Sequence, residues 1–169
     1  FHEREEVIAL RSALAAIEWP DDELSMFATL RGPFFALGDD LLIAYRAAHR
    51  SLHPLYALTL LDPRKRQEAP ELPPHEREVA EALAVLGRLH VGRNKRPIAD
   101  TVGRLLEQTR AHAGLAIWPT GEQALANVLR VMDLARRFET RTATSFRAFV
   151  QRVQDDAQHG EAAEAPVVE

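Results

Sequence analysis

The chain contains no cysteine. That excludes a disulfide framework, thiolate catalysis and thiolate metal sites, and it suits a reducing compartment such as the cytoplasm. Aromatic residues are sparse, at 7%. No apolar run approaches the roughly 20 residues needed to cross a bilayer, so no membrane partner is expected. Period-two alternation of apolar and polar residues is nearly absent, which argues against sheet. No GxxxxGK[ST] or GxGxxG pattern occurs, so the residues offer no phosphate-cradling loop for a nucleotide. Serines 12, 25, 51 and 145 lack a nucleophile context. Asp39-Asp40 and Asp155-Asp156 are adjacent carboxylates, which point apart on a helix and cannot readily share one bond as an acid/base pair. His49 and His53 are four apart, but Pro54 follows at once and no third ligand is nearby, so a zinc site is disfavoured. Catalytic residues, metal ligands and cofactors are therefore all expected to be none.

What is present is a globular mixture, with 46% hydrophobic and 27% charged residues in a chain of 169. This is enough for one domain with a substantial core. Apolar residues recur at helical spacing: Val7, Leu10, Ala13, Leu14 and Ile17; Val79, Leu83, Leu86 and His90; Val102, Leu105, Leu106 and Thr109; Leu125, Val128, Leu129, Met132 and Ala135; Phe146, Phe149, Val150 and Val153. The fold class is all-α, an irregular multi-helix arrangement of two helical layers.

Local punctuation marks the helix ends. Pro20-Asp21-Asp22 puts an acidic cap before "ELSMFATL", and Gly32-Pro33 stops that helix. Asp39 or Asp40 is expected to cap "LLIAYRAAHR", Pro54 to open "LYALTLL", and Thr144 or Ser145 to cap the last helix. "DPRKRQEAPELPP" is rich in proline and charge and has no apolar period. It is read as a connection over 63–74 between sub-parts 1–62 and 75–158 of one domain spanning 1–158. Residues 159–169 read as an acidic spacer.

The net charge is −4, which argues against a generic nucleic-acid binder, but the charges are segregated. Acids dominate the first 23 residues. Arg88, Arg93, Lys95, Arg96, Arg104 and Arg110 crowd one later stretch, and Arg130, Arg136, Arg137, Arg141, Arg147 and Arg152 another. A solvated helix face explains many of these. "RGPFFALGDDLL" at 31–42 is the other unusual stretch, because two phenylalanines sit at a Gly-Pro turn. It reads either as a buried corner or as a backbone-presenting loop ahead of a helix N-terminus.

Taken in order, these segments resemble the UvrD/RecB-like superfamily 1 DNA helicases, specifically their inserted 2B accessory subdomain. Phe1, Glu3, Arg4, Glu5, Glu6 and Val7 fit its aromatic-E-R-E-E-V opening. Trp19-Pro20-Asp21-Asp22 fits the following turn, and Arg31 through Asp39 fits an R-S-P-L-F-G-L-S-D type loop. Gly121, Ala126, Asn127, Leu134, Ala135 and Phe138 fit a later long helix, and "SFRAFVQRVQDD" the last one. The pattern leans to the AddA and RecB branch of helicase–nucleases. UvrD-type proteins carry a duplex-touching Gly-Ile-Gly element where this chain has Ala36-Leu37-Gly38, so the first glycine is replaced.

The resemblance implies a non-catalytic segment of an ATP-dependent helicase. ATP and magnesium would belong to the parent, and the start at Phe1 suggests a piece of a longer protein. The expected partners are duplex DNA, bound weakly and without sequence preference, the motor domains of the same parent and a nuclease partner protein. Arg31, Gly38, Arg93, Lys95 and Arg96 are the expected DNA contacts. The alternatives are a module that docks a partner in a helicase–nuclease complex and, less well supported, an independent all-α regulator.

Overall fold

In the computed structural model, which describes residues 1–65, 70–141 and 145–159, all regular structure is helical. The first helix, α1 (Glu5–Glu18), begins with an acidic pair that complements its dipole. Its predicted stripe is fully buried: Val7, Leu10, Ala13, Leu14 and Ile17 are each 0% exposed. Ala15, Ala16, Glu6 and Glu18 are buried as well, so little of the helix beyond its first turn keeps a solvent face. Small alanines let neighbours approach on several sides. α1 packs against α2 (Glu23–Arg31), α5 (Pro74–Gly92), α8 (Gly121–Arg141) and α9 (Phe146–His159). It is therefore shared by the helices before and after the proline-rich connection.

Asp22 caps α2 as the sequence predicts, accepting from the Ser25 backbone N–H at 3.1 Å. The cap of α3 (Asp39–His49) differs from expectation. Gly38 is the N-cap and contributes no side chain, while Asp39 and Asp40 fall inside the first turn. There they still favour the helix dipole. Arg46 Nε donates to Glu23 Oε1 at 2.6 Å, joining α3 to the start of α2. That hydrogen bond holds the Glu23 carboxyl below its usual range.

Pro54 opens α4 (Pro54–Leu61) at the first helical position, and the His53 ring caps it, its Nδ1 accepting from Leu55 N–H at 3.2 Å. His53 Nε2 then lies 2.9 Å from Asp21, whereas His49 Nε2 lies 2.9 Å from Glu76 of α5. The two histidines thus serve different contacts. Tyr45 stacks on His49 at 4.5 Å, and its phenol is pushed up by burial, then by Tyr56 and Glu76. α4 lies tightly on α5 because Gly87 has no side chain: a Cβ there would sit 2.9 Å from Leu58 Cδ1 and from the Pro54 carbonyl.

The described part of the proline-rich connection is mostly exposed, and residues 66–69 lie outside the described residues. Beyond it, α6 (Ile98–Gln108) buries Val102, Leu105 and Leu106 as predicted. A short α7 (Ala111–Ala116) leads to α8. The buried face of α8 is Ala124, Asn127, Val128, Val131 and Ala135. This corrects the predicted stripe: Leu129 is 42% exposed and Leu125 only half-buried. The reason is that α8 meets α1, α6 and α7 together, which turns its small-residue side inward. Ser145 caps α9, accepting from Ala148 N–H at 3.1 Å, while Thr144 lies outside the described residues.

Candidate nucleic-acid interface

The 31–39 loop folds back on the end of α2. Ala36 N–H donates to the Gly32 carbonyl at 2.7 Å, and Leu37 N–H to the Leu30 carbonyl at 3.0 Å. These bonds turn Phe34 and Leu37 into the core, at 5% and 7% exposure, with Phe35 packed beside them. The two phenylalanines thus anchor a buried helix–helix corner. Its polar rim faces outward. Arg31 pairs with Asp39 at 3.1 Å, and both side chains are about half exposed. Gly38 is exposed, has φ −69°, and has open space where a Cβ would be. Nothing in the geometry here demands glycine at 38.

The demand falls on Ala36 instead, at φ 50°. This is the step at which the UvrD-type loop pattern has its first glycine and this chain has alanine. An L-residue in this region costs about 1–2 kcal/mol, which glycine avoids at some entropic loss. Ala36 is exposed, so no packing is forfeited. Ala36→Gly is expected to raise stability by about 0.5–1 kcal/mol, read as an increased urea midpoint at unchanged slope. A lower midpoint would show that the positive φ carries no strain.

The second group of predicted residues lies on the turn between α5 and α6. Arg93 points inward. Its Nε donates to Glu18 Oε2 at 2.8 Å and its Nη1 to the His90 carbonyl at 2.8 Å. The other Glu18 oxygen accepts from Arg147 Nε of α9 at 2.8 Å. Glu18 is 2% exposed, so one buried carboxylate ties the end of α1 to the turn and to α9. His90 Nδ1–H donates to the Ile17 carbonyl at 2.6 Å, which orients the ring beside Arg93. Asn94 Oδ1 accepts from Phe146 N–H at 3.1 Å and satisfies one free donor of α9. Arg96 is half-buried and lays its guanidinium over Gly92, where a side chain would collide with it. Lys95 is exposed at the tip.

The five predicted residues therefore divide. Arg31, Gly38 and Lys95 face solvent, Arg96 partly does, and Arg93 is engaged by Glu18. They occupy two separate corners, and no hydrogen bond or ion pair among the described residues joins them.

A third basic stretch reads in the sequence equally well as a solvated helix face. Arg136 is indeed paired with Asp133 at 2.6 Å. Arg137 and Arg141, by contrast, border an open groove of about 450 Å³ between α8 and α9. Leu134, Phe138 and Val153 form its floor, and Arg152 its far rim. The i, i+4 pairs Leu134/Phe138 and Arg137/Arg141 were the available signal, since each pair shares a helix face.

The arrangement defines an all-α module with two basic corners and one basic groove. Among the described residues no group of three or more His, Asp or Glu side chains is placed to hold a metal, and no helix is long and apolar enough to cross a membrane. No protein-family model matches the chain. At 28% identity over 159 residues, it is similar to an ATP-dependent helicase/nuclease subunit of Geobacillus kaustophilus. The same-named protein of Anoxybacillus flavithermus is 28% identical over 160 residues, and that of Geobacillus thermodenitrificans 26% over 159. Each match covers 89% of this chain and 12% of the relative, so the chain spans about an eighth of the length of these proteins.

Proposed function

We propose that this chain is a non-catalytic accessory domain of an ATP-dependent DNA helicase/nuclease, of the 2B type, which touches duplex backbone and moves against the motor during unwinding. The observation that carries the reading is the match itself: it runs along nearly the whole chain, yet corresponds to a small part of each helicase/nuclease protein. The helical fold and the absence of a phosphate-binding loop from the sequence agree with a segment that lies outside the ATPase. ATP and magnesium then belong to the parent chain, whose motor domains are the first partners.

Arg31, Lys95 and Arg96 are the proposed phosphate contacts, with the exposed backbone at Gly38 beside Arg31. The Arg31–Asp39 pair is exposed and worth under about 1 kcal/mol, so a phosphate can replace Asp39 at little cost. Lys95 is carried on a turn already fixed by Arg93 and Asn94, which limits the entropy lost on binding. Arg93 supports this surface from behind. Contacts of this kind give affinity without sequence preference. The net charge of −4 keeps that affinity low.

The test is binding of a hairpin duplex across a salt series, for the wild type and for Arg31→Ala/Lys95→Ala/Arg96→Ala. Each lost phosphate contact is expected to flatten the slope of log affinity against log salt by about 0.9, equally for all sequences. Superimposed curves from two folded proteins would remove these residues from the interface. No wild-type binding at low salt would leave the accessory role to protein contacts alone.

A further inference from the structure

α8 and α9 follow one another in the chain, yet they approach each other only loosely. Phe138 and Phe149 meet at 5.6 Å and close the bottom of the gap, and no described residue covers the groove above them. Leu134 and Phe138 are half-buried, an apolar floor left partly in water. On the rim, Arg152 is matched by Asp156 at 2.9 Å. Arg137 and Arg141 are exposed, and their guanidinium groups have no hydrogen-bond or ion-pair partner among the described residues. Among the described residues, the groove thus combines half-buried apolar surface with two guanidinium groups that no carboxylate meets.

The geometry points to a docking site for an acidic amphipathic peptide segment of a partner protein. The charge complementarity is direct: carboxylates can take both guanidinium groups in paired, charge-assisted hydrogen bonds. The floor selects among anions. Leucine-sized side chains fill a groove of this volume, as in helix-in-groove recognition, whereas phosphates make no use of it. Single-stranded bases need open ring faces to stack on; Phe149 is 1% exposed and Phe138 is half-buried against it, which leaves at most one ring for a base. Arginine and aromatic residues at the centre of a partly apolar patch are also the composition of protein interfaces. This site is independent of the corners proposed to meet duplex DNA.

The experiment uses the full chain and three fluorescein-labelled probes: a short peptide with leucines on one helical face and glutamates on the other, a polyglutamate peptide of equal length, and a single-stranded oligonucleotide. Binding is followed by anisotropy for wild type, Arg137→Glu/Arg141→Glu and Leu134→Ser, after circular dichroism shows each is folded. The amphipathic peptide is expected to bind at least about tenfold tighter than polyglutamate and to lose about tenfold or more with the double charge reversal. Leu134→Ser is expected to weaken the amphipathic peptide and leave polyglutamate unchanged. Equal binding of the two peptides would reduce the groove to a charge patch and overturn the proposal. So would tighter, arginine-dependent binding of the oligonucleotide, which makes this a nucleic-acid surface. Absence of peptide binding at low salt overturns it outright.

Discussion

Replacing Glu18 by alanine is expected to lower the unfolding free energy by about 3–5 kcal/mol. Glu18 is the last residue of α1, its side chain is 1% exposed, and it holds Arg93 and Arg147 at 2.8 Å each. Truncation leaves the Arg93 guanidinium, at 20% exposure, without its carboxylate. It also removes the ionic link that joins α1 to the α5–α6 turn and to α9. Arg147 is 56% exposed, so its bond is screened by water and Arg147→Ala is expected to cost under about 1 kcal/mol. Arg93→Ala should fall between the two. Urea unfolding of the three variants checks the order. A Glu18→Ala loss below that of Arg147→Ala would mean that the carboxylate does not organise this corner. Because domains of this size are stable by only about 5–15 kcal/mol, the Glu18 variant will be close to unfolding at elevated temperature.

The second large effect is expected at Asn127. Its Nδ2 donates to Glu6 Oε1 at 2.6 Å, and both residues are buried, at 1% and 5% exposure. Gln123 Nε2 supports the amide from the preceding turn at 3.3 Å. Asn127→Leu nearly conserves volume and removes the donor, leaving a buried carboxylate short of its hydrogen bond. The expected loss is about 1.5–3 kcal/mol, the range for hydrogen bonds to charged groups. Pairing it with Glu6→Gln in a double-mutant cycle isolates the contact. If the two single losses simply add, Glu6 and Asn127 are not coupled. Both residues are among those that carry the family resemblance, one in the opening stretch and one in the late long helix. The fold puts them in contact across most of the chain length.

Much of the architecture is legible in periodicity. The stripes of α1 and α9 are buried as expected, as are Val79, Leu83 and Leu86 of α5 and Val102, Leu105 and Leu106 of α6, because a helix with one apolar face has few other ways to bury it; His90 and Thr109, at the ends of their stripes, are only half-buried. Asp22, Pro54 and Ser145 mark their helix starts for local reasons of capping geometry. The buried face of α8 departs from its periodicity because its neighbours lie on its alanine and valine side, and the sequence carries no record of which helices surround it. Gly38 takes the cap expected of Asp39 or Asp40, since the turn at Ala36 delivers the chain to α3 one residue earlier.

Site residues are less legible than helices, for the same reason. A basic side chain in a loop looks available until its neighbours are known. Arg93 and Lys95 stand two residues apart in "GRNKRP", yet one is drawn inward by Glu18, 75 positions earlier, and the other is left in water. Arg137 and Arg141 read as a solvated face, and only the gap between α8 and α9 makes them the rim of a groove. The sequence by itself determined the helical class, most of the buried faces and the likeness to helicase/nuclease proteins, because these follow from local spacing and from the order of motifs. The tertiary structure alone decided which charges are held inside and which face outward, because a buried carboxylate such as Glu18 recruits its cations through space, at energies that no local pattern encodes.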